Sequence, residues 1–302
     1  MIGRVIKSLG NVYQVSTESG ILQASLKGKL RLSDSNATNP VAVGDLVEID
    51  KFDEYQIHKI LPRKNKITRK AIAKGNSEQV LAANIDFLLI ISSLIKPKLH
   101  LNFIDRCLIT AEAFKIEPIL IFTKTDLIEN WNEIAEEINE IYSPLQIHTI
   151  FTDSRNLSDL EELETIISGK TSALTGQSGV GKSTLIKTLA PELNIRIGET
   201  SKKWSTGKHT TTNAELFEIR TNTFLIDTPG LREFGLLDIE EEELSHYFKE
   251  MIPYLGNCKY SKCTHTHEPQ CSVKDAVESG KIHLKRYENY LQIFESLDKK
   301  TY

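Results

Sequence analysis

Hydrophobic and polar positions follow three different patterns along the chain, and the changes of pattern divide it. In the first part the pattern has a period of two. Val12-Tyr13-Gln14-Val15, Leu22-Gln23-Ala24-Ser25-Leu26 and Leu46-Val47-Glu48-Ile49 read as half-buried strands. Gly10-Asn11, Ser19-Gly20 and Gly44-Asp45 are turn signals between them. Short strands packed this closely over residues 1–70 predict a small β-barrel. An OB-fold fits, and an SH3-like barrel would give a similar pattern. Tyr13, Phe52 and Tyr55 could stack on bases, although strand-face or core positions are the commoner fate of such rings.

From about residue 84 the alternation gives way to near-continuous apolar runs: Ile85 to Ile91, Pro118 to Phe122, Ile147 to Phe151, Thr171 to Leu174 and Thr223 to Ile226. Such runs mark strands buried on both faces. Helical segments over Asn102 to Phe114 and Asn130 to Ile141 lie between several of them. Alternating strands and helices predict an α/β domain with a parallel sheet covered on both sides. After Gly235 the strands stop. Ile239 to Met251, Val273 to Ser279 and Leu284 to Leu297 read as helices of a third, small module. The predicted division is 1–70, 71–236 and 237–302.

The 302 residues, 40% hydrophobic and 26% charged, are ordinary for a soluble globular protein. No apolar run approaches the ~20 residues that span a bilayer. With no signal-peptide pattern at Met1 to Val5, a cytoplasmic protein is expected. A net charge of −4 gives no global basic field, but Tyr55 to Ser77 holds no acidic residue. It carries Lys59, Arg63, Lys64, Lys66, Arg69, Lys70 and Lys74, either a solvated linker or a surface for a phosphate backbone.

Chemistry is concentrated in three motifs. Gly176-Gln177-Ser178-Gly179-Val180-Gly181-Lys182-Ser183 matches G-x-x-x-x-G-K-[ST] between an apolar strand and a helical run that begins at Thr184. Glycines let the backbone amides curl around phosphate oxygens, and the helix N-terminus adds a favourable field. Lys182 would reach the β- and γ-phosphates, and Ser183 would ligate Mg²⁺. Asp227-Thr228-Pro229-Gly230 ends another apolar strand, with Asp227 suited to the magnesium shell and the Gly230 amide to the γ-phosphate. Thr123-Lys124-Thr125-Asp126 ends a third, where GTPases usually carry N-K-x-D. The Asp126 carboxylate would accept from guanine N1–H and the exocyclic amine, and Lys124 would lie along the base. Thr123 stands in place of the usual Asn. It keeps a hydroxyl and loses the amide. The base motif precedes the P-loop in the chain, which a circular permutation explains.

A fourth cluster, Cys258, Cys263, His265 and Cys271, offers three thiolates and an imidazole, a set suited to a closed tetrahedral Zn²⁺ site. His267 is the competing imidazole. Few bulky apolar residues surround the cluster in sequence, so zinc is expected to supply much of the module's folding free energy. Cys107, apart from the others, reads as a core residue.

Taken together, these motifs resemble the ribosome small-subunit-dependent GTPase A (RsgA) family, bacterial circularly permuted GTPases of the TRAFAC class. The resemblance runs over essentially the whole chain and includes Ala83-Asn84-Ile85-Asp86, Gly207-Lys208-His209-Thr210-Thr211-Thr212 and Asp227 to Gly235. Thr152-Asp153 departs from the Ser-Ala usual in the fifth GTPase motif. The resemblance implies GTP hydrolysis to GDP and phosphate and a role in late 30S subunit maturation. It also implies contact with 16S rRNA, stimulation by the small subunit and the same four zinc ligands; a monomer is expected. Gly207 to Thr212 resembles switch I, where Thr211 is favoured to complete the Mg²⁺ shell. Leu231 stands where Ras-like enzymes carry a water-orienting Gln, and His209 is the best substitute. A large-subunit GTPase, an ATP-dependent small-molecule kinase and an RNA-binding module with a vestigial P-loop are the alternatives. The barrel and zinc module oppose the first, Asp126 the second, and intact Lys182, Ser183 and Asp227 the third.

Overall fold

The computed structural model describes residues 1–27, 40–51, 53–70, 78–191, 215–227 and 239–298. Strands β1 (Ile2–Ser8), β2 (Val12–Thr17), β3 (Gly20–Leu26), β4 (Leu46–Lys51) and β5 (Tyr55–Ile60) close into a barrel in the order β1-β2-β3-β5-β4-β1, all antiparallel except β3–β5. That order is the OB arrangement and removes the SH3-like alternative. The period of two is satisfied inside: Val5, Val15, Ala24, Val47, Ile49 and Ile57 are buried. Tyr13 is only 2% exposed, so its ring is core and unavailable to bases. Tyr55 lies at the barrel rim with the Lys51 ammonium over its ring. Phe52 lies outside the described residues.

A hairpin of β6 (Lys66–Lys70) and β7 (Glu78–Ala83) leads into the second part. There β8 (Phe87–Ser93), β9 (Glu117–Thr123), β10 (His148–Thr152), β11 (Thr171–Thr175) and β13 (Thr223–Asp227) run parallel in the order β10-β9-β8-β11-β13. The antiparallel β12 (Glu215–Arg220) flanks β13. The apolar runs follow from burial on both faces. Leu88 and Ile90 point to one face, packed with Leu120 and Phe122 against helices α1 (Leu101–Ala113) and α2 (Trp131–Tyr142). Phe87, Leu89 and Ile91 point to the other, against α3 (Glu161–Ile167) and α4 (Lys182–Leu189). Each of these side chains is worth roughly 1.5–3 kcal/mol of burial.

The barrel and this domain share one sheet, because β1 pairs with β12 at Lys7↔Glu215. An Arg4 guanidinium lies 5.0 Å from the Phe224 ring centroid and donates to Thr171 Oγ1 at 3.0 Å. Val43, Ile67, Ala82 and Ile85 extend the main core beneath the junction. Gly44 is the tight point. At φ +90° it lies so close to β7 that an added Cβ would stand 2.1 Å from Ala83 O.

The C-terminal part differs from the sequence expectation in two ways. The helix expected over 239–251 is a 3₁₀ turn, Glu241–Tyr247, ended by extended Phe248 (φ −97°, ψ 95°), with a second 3₁₀ turn at Ile252–Tyr254. Extended backbone at Phe248 lets its ring, fully buried, pack edge-on against Tyr290; regular helix would carry it elsewhere. The module is also not poor in apolar residues. Leu244, Phe248, Met251, Val273, Ile282, Tyr290 and Ile293 form a core with Ile109 of α1. Helices α5 (Ser272–Glu278) and α6 (Leu284–Asp298) match the expected positions.

One charge cluster fastens this module to the sheet domain. Asp105 on α1, fully buried, accepts from Asn289 Nδ2 at 2.5 Å and Tyr142 OH at 3.0 Å, and pairs with Arg286. Arg286 also reaches Glu250 at 2.6 Å and lies 4.7 Å from the Phe248 ring centroid. Burial pushes the Asp105 carboxyl above its ordinary range, and the Arg286 charge opposes that push.

Candidate nucleotide and metal sites

Parallel strands put the loops after β8, β9, β10, β11 and β13 on one edge of the sheet. Chain order reverses between β8 and β11. The loop after β11, residues Gly176 to Gly181, therefore opens at the topological switch point, where such sheets bind ligands. Gly176 adopts φ +153° against β8, and an added Cβ would stand 2.3 Å from Ile91 O. Gly179 and Gly181 have φ of +81° and +104°, conformations that L side chains rarely adopt. Val180 is buried beneath the loop, and Ser183 and Thr184 sit half-buried in the first turn of α4. The Lys182 ammonium folds over its own loop and donates to the carbonyls of Gly176 and Gln177 at 2.5 and 2.6 Å.

The Thr123–Asp126 loop is fastened to the P-loop. Thr123 Oγ1, fully buried, lies 2.5 Å from Val180 O and 3.2 Å from Ser92 O. Lys124, in the left-handed region at φ +66°, donates to Gly179 O at 2.7 Å and to Lys96 O. The replacement of Asn by Thr therefore keeps a direct tie to the P-loop through the hydroxyl. Asp126 follows in a 3₁₀ turn and borders an open cleft of 540 Å³ shared with Trp131, Asp153 and Asp159. The loop after β10 closes the far side of this region. Thr188 on α4 donates to Ser154 O at 2.7 Å. Arg155 bridges Asp126 and Asp153, and its guanidinium holds the Asp153 carboxyl below the usual range. Asp227 ends β13. His209, Thr211, Gly230 and Leu231 lie outside the described residues.

Cys258, Cys263, His265 and Cys271 converge, each offering one ligand atom, all within 4.8 Å of one another. His265 Nδ1 is 3.5 Å from Cys258 Sγ and 3.3 Å from Cys271 Sγ, and those two sulfurs are 3.9 Å apart. Tetrahedral zinc bonds of about 2.3 Å to sulfur and 2.0–2.1 Å to nitrogen give edges of roughly 3.5–3.8 Å, so the donor set fits the ion. His267 is exposed and bonds Thr266 Oγ1, away from the sulfurs. Burial pushes the Cys263 thiol up to about 12 and holds His265 low; a divalent cation at the centre reverses the first and uses the second. The loop around the ligands is clasped by Glu268, which accepts from Thr264 N at 2.7 Å and Thr266 N at 3.1 Å. Tyr287 and Tyr290 of α6 donate to the carbonyls of His265 and Thr264 at 2.8 and 2.6 Å. Neither Glu268 nor the tyrosines stood out in the sequence; the only signal was a carboxylate three residues past His265 and two tyrosines at one-turn spacing.

An open α/β sheet with a P-loop at its switch point, and a lysine-bearing base loop that comes earlier in the chain, defines a circularly permuted P-loop GTPase. The profile of the RsgA GTPase family matches residues 60–237, and that of the RsgA N-terminal domain matches residues 2–56. The chain belongs to the RsgA GTPase family, whose members are GTP-hydrolysing enzymes. A relative from Phocaeicola vulgatus, named small ribosomal subunit biogenesis GTPase RsgA, is 40% identical over 100% of this chain and 99% of its own. One of the same name from Christiangramia forsetii is 39% identical over 98% and 96%. The crystal structure of YjeQ from Thermotoga maritima superposes with a TM-score of 0.80 at 33% identity, covering 98% of both chains. YloQ, described as a circularly permuted GTPase, superposes with a TM-score of 0.77 at 27% identity, covering 99% of this chain and 95% of that one.

Proposed function

We propose that the chain hydrolyses GTP to GDP and phosphate on the maturing small ribosomal subunit, and that the subunit stimulates the reaction. The observation that carries the reading is the direct fastening of the base loop to the phosphate loop through Thr123–Val180 and Lys124–Gly179. A nucleotide spanning both loops is held at each end by one preorganised unit. In this reading Gly176 to Thr184 cradle the phosphates, and Lys182 trades two backbone carbonyls for phosphate oxygens of full charge. Thr123 to Asp126 receive the base, Asp126 through paired hydrogen bonds. Ser183, Asp227 and Thr211 would hold Mg²⁺, which neutralises charge building on the phosphates. Gly230 meets the γ-phosphate, and His209 orients the attacking water.

Cys258, Cys263, His265 and Cys271 hold one structural Zn²⁺; four protein ligands leave no position for catalysis. The barrel and the basic 59–74 stretch contact 16S rRNA, and the zinc module is a second anchor. The parts are 1–70, 71–236 and 237–302, in a cytoplasmic monomer. No helix among the described residues is long and apolar enough to cross a membrane. Phosphate release from GTP and ATP, measured alone and with purified 30S or 50S subunits, tests the reading. Turnover of GTP stimulated by 30S alone is expected. Equal use of ATP, or stimulation by 50S alone, refutes it.

A further inference from the structure

The carboxylate that would read guanine already has a partner. Arg155 Nη2 lies 2.5 Å from Asp126 Oδ2. The same guanidinium is gripped side-on by Asp153, Nε to Oδ1 at 3.0 Å and Nη2 to Oδ2 at 3.1 Å, and the Arg155 amide donates to Asp153 Oδ1 at 3.1 Å. Arg155 is thus held by three bonds within its own loop and reaches the base loop by one. The two loops are adjacent because Thr152 and Thr123 are partners in the β10–β9 ladder. Guanine presents two parallel donors, N1–H and the exocyclic amine, that need both oxygens of one carboxylate. The Arg155 contact covers one of those oxygens.

We propose that Arg155 is a displaceable internal occupant of the guanine-reading carboxylate. It holds Asp126 when the nucleotide is absent and withdraws onto Asp153 as the base enters. It thereby weakens guanine-nucleotide affinity and hastens release. The proposal rests on the guanine reading of Asp126. Its chemistry is an exchange of partners at an acceptor-only group: one charge-assisted bond is given up, two bonds from the base replace it, and Asp153 keeps the displaced cation paired. The arginine is 64% exposed, so water screens the pair and the handover is cheap. Asp153 is what makes the withdrawal possible, because without its carboxylate the guanidinium would have only Asp126.

The test is a double-mutant cycle on the full chain, read as Kd and dissociation rate of a fluorescent GDP and a fluorescent XDP. Arg155→Gln keeps a polar side chain, two bonds shorter, and removes the charge. It should bind GDP up to about fivefold more tightly, with slower release, the range an exposed pair allows. Asp126→Asn should lose GDP and gain XDP. In that background Arg155→Gln should change XDP affinity by less than about twofold, because the pair is already gone. Weaker or unchanged GDP binding by Arg155→Gln overturns the proposal and makes Arg155 a positioning group or a bystander. An equal effect in the Asp126→Asn background overturns the pairing itself. If Asp126→Asn leaves the preference for GDP over XDP intact, the guanine reading fails, a result distinct from either.

Discussion

Replacing Thr123 by valine isolates the hydroxyl that stands in for the usual asparagine amide. Valine keeps both branches of the side chain and its volume; only the donor is lost. In the structure that donor is fully buried, 2.5 Å from Val180 O and 3.2 Å from Ser92 O. A buried neutral hydrogen bond is worth about 0.5–1.5 kcal/mol net, and leaving its acceptor short of a partner in a dry site raises the cost to about 1–3 kcal/mol. The bond joins the base loop to the P-loop, and the nucleotide needs both. Most of the loss should therefore reappear as nucleotide affinity, about 5- to 100-fold in the Kd for GDP. Thr123→Ser retains the hydroxyl and should lose less than Thr123→Val. Fluorescent-GDP titration and urea unfolding of the nucleotide-free protein, run on both variants, separate affinity from stability. If Thr123→Val binds GDP as the native protein does, the tie does not organise the site. If serine and valine lose equally, the methyl packing rather than the hydroxyl matters.

Lys182→Ala should abolish GTP turnover with or without small subunits, measured as phosphate release, because the ammonium has no substitute in the loop. Elemental analysis should find one zinc per chain; Cys263→Ser should lose it and disorder the 257–271 loop. The apolar core around Phe248, Tyr290 and Ile293 should keep α6 in place, as amide exchange would report. Arg286→Met should destabilise the C-terminal module by about 3–5 kcal/mol at neutral pH, read by thermal unfolding, because it strands a buried carboxylate. Burial raises the folded-state pKa of Asp105 and the Arg286 charge opposes that rise, so Arg286→Met lets it rise further and protonation relieves the stranded charge as pH falls. The gap to the native protein should therefore shrink as pH falls from 8 towards 5, and a constant gap refutes the assignment.

Much of this was legible in the sequence, for identifiable reasons. Strands buried on both faces carry few polar residues, so Phe87 to Ile91 and Ile119 to Phe122 stand out as apolar runs. The P-loop was legible because Gly176 and Gly181 occupy conformations closed to other residues. Spacing alone separates His265 from His267 weakly, and the resemblance favours His265; in the structure a left-handed backbone, φ +59° at His265, accompanies its burial beside the sulfurs. The 239–251 segment misled because Leu244, Phe248 and Met251 are spaced as on a helix, whereas tertiary packing of Phe248 broke the regular backbone. The Asp105–Arg286 pair was invisible: the partners are 181 positions apart, and a lone charge on an amphipathic helix reads as solvated. Arg155 is hidden for a similar reason, since an exposed arginine in a loop carries no pattern.

The two junctions of the sheet domain hold by different physics. At the C-terminal junction a buried, hydrogen-bonded charge cluster joins α1, α2 and α6. Removing one partner of such a cluster is costly. At the barrel junction the ladder between β1 and β12 is short, one pair at Lys7↔Glu215 with a partly exposed ion pair at 2.8 Å, and the apolar contacts of Val43, Ile67 and Ala82 carry the rest. Such a pair contributes no more than about 1 kcal/mol. Yet this is the junction in register with the site: Lys7 faces Glu215, and Glu215 faces Asp227 across the β12–β13 ladder. Asp227 is fixed from two sides, because its neighbour Ile226 pairs with Leu216 on β12 and with Ala173 on β11, the strand that leads into the P-loop. A strand carries its side chains with a period of two, so a one-residue shift of β13 would reverse the faces of its buried residues, Phe224 to Ile226. The ladders β1–β12–β13 therefore join the barrel to the strand that ends in the proposed magnesium-side residue.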